Sequence, residues 1–315
     1  MRGLKSQLDR FFFAAESDQW LSLLRIGLGL QVILYCWSLR ADWSALLSEN
    51  GNALIGRDLT EALLDIGGAW VPRLGWLVNS LRPLGLNEQL VLKATWTLLA
   101  LAGGCLGVGL LSRPAAMTAW LLHLCAANSG QLFTYGMDNF TSIGLFYLML
   151  APLPDRWSLD YRLRQGNFDP HQVSVFFRRA LQLHLCASYF FGGLTKSAGL
   201  GWWNGLSIWR ALICPPFNLI RPEILISWKF LLPIMAITVC LLETGYPLFI
   251  WMRQTRAYWL CAILAMHLGI GLAMGLDLFA FVMITLNLAA FAPEFTVNWR
   301  QRNPTCPVDS SVRNS

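Results

Sequence analysis

The feature that most restricts this chain is a recurrence of apolar runs about 20 residues long. SLLRIGLGLQVILYCWS, LVLKATWTLLALAGGCLGVGL and FLLPIMAITVCLLETGYPLFI each carry a single charged residue. A helix of roughly 20 residues crosses a hydrocarbon core of about 30 Å, and only helices and closed barrels satisfy their backbone polar groups there. Short segments of alternating hydrophobicity, the mark of a barrel, are not seen. The expected fold class is an all-α integral membrane protein, a bundle of about eight transmembrane helices with external amphipathic helices. Composition agrees: 55% of the 315 residues are hydrophobic and 13% charged, and mean hydropathy is +0.47, far from a soluble globular domain.

The expected spans cover about 19–39, 89–111, 114–130, 139–154, 176–197, 229–251, 256–274 and 277–293. Three of them are short or tightly joined, which leaves seven or nine as alternatives. With eight, Arg2, Lys5, Arg10, Arg113, Arg156, Arg162, Arg164, Arg178, Arg179, Arg253, Arg256, Arg300, Arg302 and Arg313 share one side of the membrane. That distribution predicts cytoplasmic N- and C-termini in a multi-pass protein of the cell inner membrane. Because the net charge of +6 follows the loops and forms no single patch, nucleic acid is not an expected partner; the lipid bilayer is.

The chain divides into a cytoplasmic interfacial helix (1–18), a transmembrane domain (19–293) with external caps at about 41–88 and 198–228, and a cytoplasmic tail (294–315). Residues 53–80 read as two amphipathic helices broken at Gly67, Gly68 and Pro72; residues 201–221, with Trp202, Trp203 and Trp209, read as an interfacial or re-entrant helix. The first apolar run starts late and lacks a small-residue cleavage site, so it reads as a span and not a cleavable signal. Six of eight cysteines lie singly in spans, and Cys214 and Cys306 fall on opposite sides, so no disulfide or metal site is expected.

Ionisable groups inside spans cost at least ~2.5 kcal/mol on insertion scales, which makes each a functional candidate. They are Arg25, Lys93, His123, His184, Lys196, Glu243, His267 and, at an external end, Asp277. Lys196 closes YFFGGLTK, at the external end of its span, with Gln182, Tyr189, Gly192 and Gly193 on its helical face. It is read either as a snorkelling lysine that marks the membrane boundary or as a desolvated amine beside a glycine-lined pocket, suited to act as a base. His267, in mid-span, is either hydrogen-bonded to a neighbouring helix or part of that site. Glu243 is expected nearer the cytoplasmic side, above a helix break at Pro247, capping backbone donors or paired with an arginine. Asp138, in YGMDNF, is placed near a helix N-cap and on the same side of the membrane as Lys196. Ser-His-Asp order, a Walker loop and HExxH are absent.

With these pieces in order, the sequence resembles the HTTM superfamily, whose best-known member is the vitamin K-dependent γ-glutamyl carboxylase. The matching segments are LRIGLGL, SRPAAMTAWLLHL with YGMDNF and LFYLMLAP, YFFGGLTKSAGLGWWNG, LLETGYP and HLGIGLAMGLDLF. The resemblance is comparably close to the short bacterial branch, which includes the membrane protein that matures a secreted sporulation-delaying toxin. It implies a lysine base at Lys196 acting on a reduced quinone. Beside it, the residues themselves suggest Asp138 and His267 as further catalytic groups that orient or relay protons, and Tyr189, Gly192, Gly193, Trp202, Trp203 and Glu243 around the pocket. The large lumenal domain of the carboxylase has no counterpart in this sequence, and Asn139 and Phe140 stand where a histidine is expected.

Two functions follow. One is a carboxylase-like enzyme that modifies an exported peptide or small molecule; the alternative is a non-enzymatic membrane partner of a soluble accessory protein, docked through residues 201–221. A transporter would need paired broken helices and repeat symmetry, which are not evident.

Overall fold

A computed structural model describes residues 7, 9, 11–13, 19–49, 56–67, 70–130, 133–163 and 171–292, and every regular element among them is helical. Most of the expected interfacial segment 1–18, with Arg2, Lys5 and Arg10, lies outside the described residues. So do Gly68, Arg164 and the tail 294–315, with Arg300, Arg302, Cys306 and Arg313. Four helices are long and apolar enough to cross a membrane: α1 (Gln19–Ser38), α5 (Glu88–Val108), α13 (Leu231–Phe249) and α14 (Arg256–Met274). Helices α6 (Ser112–Ser129), α7 (Gly136–Leu150), α9 (His171–Ser197) and α15 (Asp277–Phe291) coincide with the other expected spans but are shorter or less apolar. The short elements are α2 (Trp43–Leu47), α3 (Arg57–Gly67), α4 (Leu74–Leu81), α8 (Leu159–Leu163), α10 (Leu200–Trp203), α11 (Leu206–Ile213) and α12 (Pro222–Ser227).

Local sequence sets several boundaries. Asn87 accepts a hydrogen bond from the Leu90 amide at 2.8 Å and caps α5, which ends at Gly109 in the left-handed region (φ 75°) that glycine tolerates best. The Asp160 carboxylate then accepts from the Leu111 and Ser112 amides and from Ser112 Oγ, so that α6 starts one turn after α5 stops. The expected pair of cap helices is present as α3 and α4. Glu61 of α3 accepts from the Ser129 hydroxyl of α6 at 2.6 Å, and Asn128 Nδ2 donates to the Pro72 carbonyl at 2.9 Å, which ties the cap to the bundle. Pro247 does not break its helix. α13 continues through it to Phe249, because only the last turn lies beyond the missing amide.

Two groups of helices form the bundle. In the first, α1 packs on α5, α6 packs on α5 and α7, and α1 also meets α7. The α1–α5 approach requires glycine: a Cβ at Gly29 would lie 2.5 Å from the Gly107 amide nitrogen and 2.8 Å from the Gly103 carbonyl oxygen. In the second, α9 lies along α13 and α14 along α15. α15 joins the groups by packing on α1 and α7 as well, with Val282, Leu286, Ala289 and Ala290 buried.

Arg25 is fully buried on α1. Its Nε meets Asp155 Oδ2 at 2.5 Å, its Nη1 donates to the Leu106 carbonyl and, at 3.0 Å, to that of Gly107, and Ser22 donates to the same aspartate. The guanidinium therefore neutralises Asp155 and caps the carbonyl end of α5, which carries partial negative charge. One intramembrane charge from the sequence is thus a structural tie between α1, α5 and the segment after α7. We expect Asp155→Ala to lower stability by about 3–5 kcal/mol, because it leaves a buried arginine uncompensated. An Arg25→Leu/Asp155→Leu double variant should lose less than Asp155→Ala; thermal unfolding in detergent measures both.

Candidate functional site

The face of α9 that carries Tyr189, Gly192, Gly193 and Lys196 follows the three- and four-residue spacing of a helix. It packs on α13 so closely that a Cβ at Gly193 would lie 2.6 Å from the Thr244 amide nitrogen. At Gly192 the added atom would lie 3.4 Å from Glu243 Oε2 and 3.7 Å from Lys196 Nζ. The glycines bring the two backbones together, and the gap beside them is where Lys196 and Glu243 meet.

Lys196 Nζ lies 2.5 Å from Glu243 Oε2. The carboxylate side chain is 9% exposed and the lysine side chain 29%. One expectation changes. Glu243 pairs with this lysine, not with an arginine or with freed backbone donors. Lys196, at the end of α9, meets a residue about 18 Å along α13 from Leu231, at 1.5 Å per residue. The chain after it folds back along the first half of α13. α10 and α11 both pack there, and Gly205 (φ 80°) sits against the Leu232–Pro233 backbone. Trp203 Nε1 donates to the Ser197 carbonyl at 2.8 Å and secures the end of α9, while the Trp202 ring centre lies 5.7 Å from Lys196 Nζ.

Beside the ion pair runs a buried hydrogen-bond chain. Tyr246 Oη donates to Asn287 Oδ1 at 2.7 Å; Asn287 Nδ2 donates to Tyr189 Oη at 2.8 Å; Tyr189 Oη lies 2.7 Å from His267 Nε2. The tyrosine oxygen accepts from the amide and donates to or accepts from His267 Nε2 according to the tautomer of the ring. His267 Nδ1 is buried with no hydrogen-bond partner among the described residues. Tyr189, Gly192, Gly193, Lys196, Trp202, Glu243 and His267 thus gather around one region, with Trp203 at its edge.

Asp138 is not part of it. As the third residue of α7 its carboxylate reaches back to the Tyr135 amide at 3.1 Å, the reciprocal half of a capping box and not the N-cap itself. Its other neighbour is His123, whose Nε2 is 3.9 Å from Oδ1 and whose Nδ1 meets Ser142 Oγ at 3.0 Å. His184 faces Tyr147 at 3.2 Å, Lys93 is exposed, and Asp277 is exposed at the start of α15. No group of three or more metal-ligating side chains occurs among the described residues.

An apolar cleft of about 590 Å³ opens between α11, α13 and α14, with Ile208, Leu212, Met235, Leu242, Met266 and Met274 in its walls. Leu242 and Met266 directly precede Glu243 and His267 in sequence, on a neighbouring face of each helix. Sequence reading passed over Asn287, Tyr246 and Asp155. The available signal for Asn287 was a lone amide in an otherwise apolar run, which needs a partner on another helix. Asn287→Leu removes the acceptor of Tyr246 and a donor to Tyr189, and should cost about 1–3 kcal/mol in thermal unfolding. Tyr246→Phe/Asn287→Leu should cost less than the two single changes added together.

A family model described as the HTTM domain matches residues 77–299, a stretch that holds Asp138, Lys196, Glu243, His267 and Asn287. No curated protein and no solved structure matches the chain.

Proposed function

The chain belongs to the HTTM family, and on that premise we propose a multi-pass membrane enzyme, similar to the vitamin K-dependent carboxylase, in which Lys196 takes a proton from a reduced quinone or another lipid-borne hydroxyl. The observation that carries the reading is the Lys196–Glu243 pair at 2.5 Å, set in a glycine-lined gap beside an apolar cleft. The cleft is of a size and character that suits an isoprenoid or acyl tail. A reduced quinone fits these walls and, when bound, supplies a weakly acidic phenolic hydroxyl.

A lysine must be neutral to accept a proton. Glu243 Oε2 is placed to receive one proton from the Lys196 ammonium, which leaves a free amine and a neutral acid. Nζ then accepts the substrate proton while Gly192 and Gly193 leave the approach clear. His267, held by Tyr189 one helical face along from Lys196, is assigned an orienting role. Asp138 has no part in this step.

Helices α6, α7, α9 and α15 complete eight spans in this reading, with both termini cytoplasmic in the inner membrane and an exported peptide or small molecule as final substrate. The cytoplasmic interfacial helix (1–18), the caps at 41–88 and 198–228, and the cytoplasmic tail (294–315) belong to the same arrangement. Cys214, exposed after α11, should then react with a membrane-impermeant maleimide in intact cells; labelling only after lysis would reverse the orientation.

The activity test uses purified protein in nanodiscs with a reduced naphthoquinone and oxygen, and product is followed by chromatography. Lys196→Ala and Lys196→Arg should each lower the rate by about 100-fold or more, the scale of general-base catalysis, and Glu243→Gln by less. Wild-type rates in both lysine variants would remove the base. The partner reading rests on Trp203, 51% exposed on α10: loss of a co-purifying soluble protein in Trp203→Ala, with no effect of Lys196→Ala, would replace the enzyme.

A further inference from the structure

A second cavity, of about 130 Å³, lies where the end of α1 meets α2, the end of α6 and the start of α7, and the Lys196 chemistry does not use it. Tyr35, Trp43, Phe133 and Tyr135 line it together with Asp138, which is 3% exposed. The other carboxylates drawn into this fold have cations supplied by the chain: Asp155 has Arg25, Glu61 and Glu88 have Arg57, and Glu243 has Lys196. Among the described residues no lysine or arginine comes within 4 Å of Asp138; its carboxylate accepts from the Tyr135 amide but lacks a cation, which is costly for a buried charge. Its one basic neighbour is His123, at 3.9 Å too distant for a hydrogen bond, and that Nε2 has no hydrogen-bond partner of its own.

We propose that this cavity binds a small organic ammonium group, seated against the Asp138 carboxylate and surrounded by the rings of Tyr35, Trp43, Phe133 and Tyr135. Aromatic rings present electron-rich faces to cations, and a ring of them with one carboxylate is a recurring way to hold an ammonium. Trp43 is fixed by its Nε1 donating to the Leu92 carbonyl at 2.9 Å and packs edge-on to Tyr35, with ring centres 6.3 Å apart, so the walls are set without a ligand. Tyr135 and Phe133, at 37% and 48% exposure, are its more accessible walls. Ethanolamine- and choline-type lipid headgroups and free small amines share the required chemistry.

Binding is measured by saturation-transfer NMR on the full chain in maltoside micelles, with choline and ethanolamine as probes and 3,3-dimethylbutan-1-ol as the uncharged counterpart of choline. Choline should bind at least tenfold more tightly than the alcohol. Asp138→Asn, which can still accept from the Tyr135 amide, should weaken choline at least tenfold, and Phe133→Ala, at a half-exposed position, several-fold. Lys196→Ala should leave choline binding intact, which separates this site from the enzymatic one. Equal affinity for choline and the alcohol, or full choline affinity in Asp138→Asn, would overturn the assignment. In phosphatidylglycerol nanodiscs, displacement of choline by added phosphatidylethanolamine would support the site and identify a lipid headgroup as occupant; choline binding that phosphatidylethanolamine leaves unchanged would support it with a free amine as occupant.

Discussion

The rest of the structure depends on the cost of a charge removed from water. In a chain with so few charged residues, the buried ones dictate which helices must touch. Arg25 can be buried only because Asp155 and the end of α5 come to it, and this fixes α1, α5 and the segment after α7 at one end of the bundle. Glu243 can be buried only where Lys196 reaches it, and this fixes the register of α9 against α13. The two pairs differ in surroundings. The arginine is enclosed and multiply bonded, a tie; the lysine is partly exposed, has one anionic partner and faces space, as a reactive group requires.

Glycine provides the second constraint. Gly29, Gly103 and Gly107 let α1 and α5 approach at backbone distance, and Gly193 does the same for α9 and α13. Close approach at the second pair has a chemical consequence, because it brings a lysine near the end of one helix to a carboxylate deep along the next. α10 and α11 then pack along α13 beyond the end of α9, and α11 forms one wall of the apolar cleft. The fold thereby sets a polar pair next to a space suited to a hydrocarbon tail.

Lys196 and Asp138 illustrate how far the sequence carries. Both were legible as polar groups in membrane-proximal segments, and helical phase grouped Lys196 with Tyr189, Gly192 and Gly193. Their depth was not legible, since charge counts along a chain give sides of a membrane but not the offset between packed helices. That offset brought Lys196 to Glu243 and left Asp138 in a different cavity, beside His123 and Tyr35. His267 was read as either bonded to another helix or part of the site; its hydrogen bond to Tyr189 shows the first.

By itself the sequence determined an all-helical membrane protein, the positions of its long apolar helices and the paired cap helices, because hydrophobic length and periodicity are local properties. Only the tertiary structure decided that Arg25 is a tie to Asp155, that Glu243 answers Lys196, and that Asn287 links Tyr246 to Tyr189. Each of these is a pairing across at least 40 residues of chain. A buried polar group announces in sequence that it needs a partner, but which partner it finds depends on which helix backbones the glycines allow to meet.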